Sequence, residues 1–283
     1  MTSHPALDHD WLGACRAAAE GLRSVLRDHP TSRERVIETG ETGGGGDRTL
    51  VIDAEAEERV FTQMQALHDT GARFTVVSEE RGTVDFGSGE ILVVVDPIDG
   101  SLNAKRGLPH HALSVAVATG PTMADVVFGF VYDLGPGEEW RATAGEGAFL
   151  NNLPLDHPPP ERWTPDGRLE LIAVESADPR WLALASDDLV AATRRIRAMG
   201  SIAVSMCQVA ATRVDAMASL ARTRAVDAAA AQLIVRESGG HVEFVGAPGG
   251  PLDAPLDLEP HHPVVAARSQ ASLERLLQLP AVS

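Results

Sequence analysis

The chain has 283 residues, 44% hydrophobic and 23% charged, the balance of a water-soluble globular protein with one large domain or two of ordinary size. Its net charge of −16 argues against nucleic acid as a general partner. No apolar run approaches the ~20 residues that a membrane-spanning helix needs, so no membrane partner is expected. The first ten residues lack a basic region followed by an apolar core, so no signal peptide is read and the expected location is cytoplasmic. Cys15 and Cys207 sit in apolar, helix-like surroundings and read as packed free thiols, not as a disulfide or zinc pair. Lys105 is the one lysine beside 23 arginines. With abundant Ala, Gly and Pro, this reads as GC-rich codon usage, so most arginines need no functional explanation.

Leu12, Cys15, Ala19, Leu22, Val25 and Leu26 recur at helical spacing and predict a first helix ending near His29-Pro30. Glu41-Thr42-Gly43-Gly44-Gly45-Gly46 predicts a mobile loop. No Gly-Lys-Ser/Thr follows it, so it is not a phosphate loop. A second helix is expected over 53–68 and a short strand over 74–77, ending in Ser78-Glu79-Glu80. The apolar run 91–95 predicts a buried strand that stops at Asp96, because Pro97 cannot continue a ladder. Strands follow at 112–118, 126–132 and 139–144, then a turn at 145–147. Composition shifts to a Pro-rich linker over 154–160. Beyond it, strands are expected at 169–174, 196–199, 214–220, 242–245 and 264–267. Helices are expected at 180–192, 201–212 and 227–238, with a last one capped by Ser269. No internal repeat is visible, and the pattern is a mixed sheet with helices in two halves.

The most informative segment is Asp96-Pro97-Ile98-Asp99-Gly100-Ser101-Leu102-Asn103-Ala104-Lys105. Two aspartates three residues apart converge where a strand ends, on a turn with Gly100 at its apex. A divalent cation is the usual remedy for such concentrated charge, and hard oxygen donors suit Mg²⁺ or Mn²⁺. Glu79 ends the preceding strand, while Asp53 and Asp227 each open a helix. An aspartate there is ordinarily a cap but can cap and ligate at once, its two oxygens facing different ways. Five acids exceed the needs of one cation and suit two or three metals, with one carboxylate bridging a pair roughly 3.5–4 Å apart. No His/Cys set competes. His110-His111 and His261-His262 read as solvent-facing loop pairs, which favours magnesium over zinc.

These residues resemble the magnesium-dependent, lithium-sensitive phosphatases typified by inositol monophosphatase. Asp96 to Asn103 is similar to the first family signature, with Ser101 where threonine is usual. Val226-Asp227-Ala228-Ala229-Ala230 through Glu237-Ser238-Gly239-Gly240 is similar to the second. Ser78-Glu79-Glu80, Thr49-Leu50-Val51-Ile52-Asp53, Gly147 to Asn151 and Cys207 to Ala216 also match in order. The resemblance implies an α+β fold, a layered αβαβα sandwich of the inositol monophosphatase/fructose-1,6-bisphosphatase type. It implies an α+β half over 1–153 with most metal ligands, an α/β half over 154–283 with Asp227, and a homodimer. Carried over, Glu79, Asp96 and the Ile98 carbonyl hold a first Mg²⁺, and Asp96, Asp99 and Asp227 a second. Glu79 also touches a weaker third. Ser101 and Asp53 orient the attacking water, and the N–H groups of Gly100 and Ser101 receive phosphate oxygens. Gly200, Ser201 and Arg224 fall on the substrate side.

The expected reaction is hydrolysis of a small phosphomonoester, an inositol monophosphate or a sugar phosphate or bisphosphate. Departures bear on substrate: Ser219 stands where inositol phosphatases carry a glutamate, Val226 replaces a tryptophan, and the lysine often found in the glycine-rich region is missing. Arg224-Ala225-Val226-Asp227 is more similar to the branch with dual inositol monophosphatase/fructose-1,6-bisphosphatase members. Two alternatives stay open, a 3′(2′),5′-bisphosphate nucleotidase and a catalytically inactive metal or phosphate sensor. Arg224, Lys105 and Arg106 either read a ligand's distal anion or belong to solvated surfaces.

Overall fold

A computed structural model of the chain describes residues 8–42 and 48–280. Of the expected glycine-rich loop, Gly43 to Gly46 lies outside the described residues. The elements run α1 (Trp11–Asp28), α2 (Ser32–Arg35), β1 (Glu38–Thr42), β2 (Arg48–Leu50), α3 (Val51–Asp69), β3 (Phe74–Ser78), β4 (Gly82–Asp99) and α4 (Ser101–Arg106). Next come β5 (Ala112–Ala118), β6 (Val126–Asp133), β7 (Glu138–Thr143), β8 (Gly147–Leu150) and β9 (Leu153–Pro154). The rest is β10 (Ile172–Glu175), α5 (Pro179–Leu184), α6 (Ser186–Ala192), β11 (Ile196–Arg197), α7 (Ile202–Ala210) and β12 (Ala216–Ser219). The order closes with α8 (Ala225–Glu237), β13 (His241–Phe244), β14 (Val264–Ala267) and α9 (Gln270–Leu276).

The strands form a seven-stranded sheet, β3-β4-β5-β6-β7-β8-β9, and a five-stranded sheet, β11-β10-β12-β14-β13, beside the small β1-β2 pair. Side-chain alternation builds the layers, since successive residues of a strand face opposite sides. Val93, Val95, Val115 and Val117 pack with α1 and α3. Val94, Ala116 and Val131 face the other way, into a core shared with α7, α8, Ala173, Met217 and Val264. The outer face of the second sheet, with Ile172, Val174, Ala218 and Val265, packs against α9 through Leu273 and Leu276. The result is an αβαβα sandwich, as expected. Its centre depends on small residues: a Cβ on Gly129 of β6 would lie 2.6 Å from the Ala230 carbonyl oxygen, so β6 and α8 meet backbone to backbone. No described helix is long and apolar enough to cross a membrane.

Several boundaries differ from the sequence reading, each for a local reason. β4 does not stop at Asp96 but continues through Pro97 to Asp99. Its register against β5 shifts between Asp96 (opposite Ser114) and Asp99 (opposite Ala112), and such an irregularity is where a strand tolerates proline. The helix expected over 180–192 is two, broken at Ala185, because Ser186-Asp187-Asp188 suits a fresh helical start. β11 ends at Arg197, since the Met199 and Gly200 N–H groups turn to Glu175 at 2.9 Å each. Asp53 and Asp227 do not open their helices but sit at the third position of α3 and α8. The loop histidines are not all solvent-facing: His111 is buried, with Nδ1 3.1 Å from the Leu108 carbonyl oxygen. Cys15 and Cys207 are buried free thiols, as expected.

Candidate active site and metal centre

The acidic side chains reach the site from element ends. β3 delivers Glu79 and the neighbouring β4 delivers Asp96, with Ser78 opposite Val95 in register. The turn after β3 is anchored by Glu57 of α3, one helical turn beyond Asp53. Its carboxylate accepts from Ser78 Oγ at 2.5 Å and from the Arg81 N–H at 3.0 Å. Asp96 Oδ1 accepts from the Ile98 N–H at 2.9 Å. Asp99 Oδ2 accepts from Ser201 Oγ at 2.6 Å and the Ala203 N–H at 2.7 Å, which ties β4 to the start of α7. Asp227, in the first turn of α8, faces both.

One carboxylate oxygen from each of Asp96, Asp99 and Asp227 falls within 4.8 Å of the others, and all three residues are buried. Burial raises all three carboxyl pKa values above the usual range. Neighbouring charges add to this: Glu79 and then Asp99 at Asp96, and Asp227 at Asp99. At Asp227 the Arg224 guanidinium opposes the rise. Arg224 lies 2.7 Å from Glu79 Oε1 and 3.4 Å from Asp227 Oδ1. One guanidinium against four carboxylates leaves negative charge in excess. An all-oxygen donor set with such an excess fits a hard divalent cation.

Asp53, Glu79, Asp96, Ile98, Ser101 and Lys105 line one cavity of about 460 Å³. Ser101 begins α4 after Gly100, whose φ of 83° is left-handed. A Cβ on Gly100 would lie 2.8 Å from the His110 oxygen and 2.9 Å from the Gly200 oxygen, so this turn requires glycine. α4 is held at its far end by Arg35, which donates to Ala104 O at 2.8 Å and to Leu26 O at 3.0 Å.

A second cavity of about 390 Å³ is lined by Asp99, Glu175, Ser176, Gly200, Arg224 and Asp227, among others. Gly200 and Ser201 line it as expected, but their best donors are already engaged, the Gly200 N–H by Glu175 and Ser201 Oγ by Asp99. Arg224 is neither on a solvated loop nor turned to a distal site, since its guanidinium lies among the acidic side chains. Lys105 pairs with Asp53, at 3.5 Å. Ser219 is buried and donates to Ala221 O at 2.7 Å.

Sequence reasoning missed Glu57, Glu175 and the bridging part of Asn103. Glu175 accepts from Met199 N, Gly200 N and Ser205 Oγ. Asn103 Nδ2 donates to Met199 O at 2.6 Å and His110 O at 2.9 Å. Glu175 carried the signal that identified Glu79, an acid at a strand end, but outside any motif.

The chain matches the inositol monophosphatase family model over residues 8–279. A fructose-1,6-bisphosphatase/inositol-1-monophosphatase of Methanothermobacter thermautotrophicus is 33% identical over 279 residues, 95% of each chain. A Nus factor SuhB of Pasteurella multocida is 32% identical over 206 residues, 69% of this chain and 71% of that one. Among solved structures, an inositol monophosphatase-fructose 1,6 bisphosphatase superposes with a TM-score of 0.78 at 25% identity, over 95% of this chain and 98% of the other. The extragenic suppressor protein suhB from Bartonella henselae gives 0.75 at 25% identity, over 94% and 98%. With a family match over nearly its whole length and the acidic convergence at its centre, the chain belongs to the inositol monophosphatase family.

Proposed function

We propose that the protein is a Mg²⁺-dependent phosphatase that hydrolyses small phosphomonoesters, and that the convergence of Asp96, Asp99 and Asp227 beside the Asp53–Ser101 cavity is its catalytic centre. That convergence carries the reading. Glu79, Asp96, the Ile98 carbonyl, Asp99 and Asp227 would hold two or three Mg²⁺ ions, with Mn²⁺ as a substitute. A cation bound there supplies Lewis acidity, lowering the pKa of a water and neutralising charge on the phosphoryl and leaving oxygens.

The remaining steps belong to the chain's own groups. The Ser101 hydroxyl donates to one group while accepting from another, and so passes orientation from Asp53 to the attacking water. The N–H groups of Gly100 and Ser101 take phosphate oxygens. Gly200, Ser201 and Arg224 shape the leaving-group side. With Glu79 and Asp227 engaged as metal ligands, the Arg224 guanidinium would be free to meet a second phosphate, for which it is well suited. Relatives named for both fructose-1,6-bisphosphatase and inositol-1-monophosphatase activity support a substrate range that includes sugar bisphosphates. The Ser219 hydroxyl, turned to Ala221 O, supports the same preference, because a hydroxyl stands at the place where inositol phosphatases carry a glutamate. The reading extends to a cytoplasmic homodimer.

The test is phosphate release from inositol 1-phosphate, fructose 1,6-bisphosphate and a 3′,5′-nucleotide bisphosphate, with chelator and with Mg²⁺ restored. Hydrolysis of the first or second only with Mg²⁺, and inhibited by lithium, is expected. Full turnover in excess chelator overturns the mechanism, and exclusive turnover of the nucleotide overturns the substrate assignment.

A further inference from the structure

The ammonium of Lys105 stands 3.5 Å from Asp53 Oδ2, and both side chains are largely buried, 23% and 9% exposed. The other oxygen, Asp53 Oδ1, is buried with no hydrogen-bond partner, so Oδ2 is the oxygen held by a specific contact. Lys105 lies four residues after Ser101 on α4, which puts the two side chains on one helix face. Both line the cavity that Asp53 lines. Lysine is also the exceptional choice here, since every other member of the 24-residue basic set is arginine. A compact ammonium on a flexible stem meets a single carboxylate oxygen in a narrow space, where a planar fork has less room.

Asp53 is also under opposing influences. Burial raises its carboxyl pKa, and Lys105 is the largest influence against that rise, with Glu79 adding to it. The Leu50 N–H also bonds the Asp53 carboxylate, at the start of the helix, while Lys105 meets it from across the cavity.

We propose that Lys105 is the positioning residue for Asp53, pinning Oδ2 on the Ser101 side of the cavity so that Asp53 and Ser101 act together on the attacking water. Lys105 acts through Asp53 and does not itself contact substrate. The proposal rests on the reading of Asp53 as a water-orienting group.

The test is a double-mutant cycle with Lys105→Met, Asp53→Asn and the double variant, assayed in saturating Mg²⁺. The substrate is the better hydrolysed of inositol 1-phosphate and fructose 1,6-bisphosphate. Loss of such a supporting contact is expected to lower kcat roughly 10- to 100-fold with KM within about twofold. In the Asp53→Asn background, Lys105→Met is expected to cost nothing further. Losses that multiply, or a rise in KM with kcat intact, overturn the proposal and mark Lys105 as a direct substrate contact. If Asp53→Asn alone leaves kcat unchanged while Lys105→Met lowers it, the water-orienting reading of Asp53 fails and the proposal fails with it. Unchanged kcat in Lys105→Met with a large loss in Asp53→Asn overturns the proposal alone.

Discussion

Buried carboxylates at the two cavities fall into two groups that the chain around them treats differently. Asp96, Asp99 and Asp227 are crowded within 4.8 Å of one another, with Arg224 as their nearby guanidinium. Glu175, by contrast, accepts from two backbone N–H groups at 2.9 Å and from Ser205 Oγ at 2.5 Å. The first set also accepts hydrogen bonds, at Asp96 and Asp99, but its three crowded carboxylates exceed the one guanidinium beside them. Glu175 stands apart from that cluster with donors on both oxygens. Uncompensated buried charge is costly unless a ligand meets it. Under the proposed function, the difference separates carboxylates that would hold a cation from a carboxylate that holds the fold, although all are buried acids at element ends.

That contrast predicts opposite effects when each set is neutralised. Asp96→Asn and Asp227→Asn are expected to lower kcat by roughly 1,000-fold or more, as loss of a main electrostatic contributor does. The thermal midpoint of the metal-free protein is expected to hold or rise, because repulsion is relieved. Circular dichroism melts in chelator, beside phosphate-release rates, check both halves. A variant that melts much lower would make these aspartates structural.

Glu175→Gln should behave in reverse. An amide facing the Met199 and Gly200 N–H groups sets donor against donor, which is expected to cost about 1–3 kcal/mol. The loop 199–201 then loosens, so KM is expected to rise several-fold while kcat changes less. Urea unfolding and steady-state kinetics measure the two. A large kcat loss with unchanged stability would move Glu175 into the catalytic group.

His111 sharpens the comparison from a site where burial acts with little help from charge. Burial pushes its imidazole pKa down to about 4, against an ordinary 6.5. Below pH 6.5 the unfolded chain takes a proton that the folded chain refuses. Stability is therefore fully present above pH 6.5 and is lost as pH falls towards 4. Between pH 7 and pH 5 the expected loss from this residue is about 2 kcal/mol. His111→Asn should remove that part of the acid sensitivity, seen as a shallower fall of the urea midpoint between the two pH values. An unchanged fall would assign it elsewhere.

The sequence was most readable where one residue's chemistry is tied to one element's end. The run from Asp96 to Ser101, Glu79 after its strand and Asp227 in its helix stand together because short-range signals and a known motif placed them. Pro97 misled, because a register shift two strands wide is a property of pairing and not of the proline. Glu175 and Asn103 escaped for the same kind of reason. Their partners, Gly200 and Met199, are 25 and 96 positions away, and nothing local encodes a hydrogen bond across that distance. Arg224 was seen, but its ion pairs with Glu79 and Asp227 were not, since Glu79 arrives from the other half of the chain.

Mg²⁺ binding to the chelator-treated protein by isothermal titration calorimetry tests the central claim most directly, with Asp96→Asn and Asp227→Asn measured alongside. The account predicts saturable binding of at least two ions per chain in the wild type, with loss of at least one site in each variant. Equal binding in wild type and both variants, or none in the wild type, would contradict it.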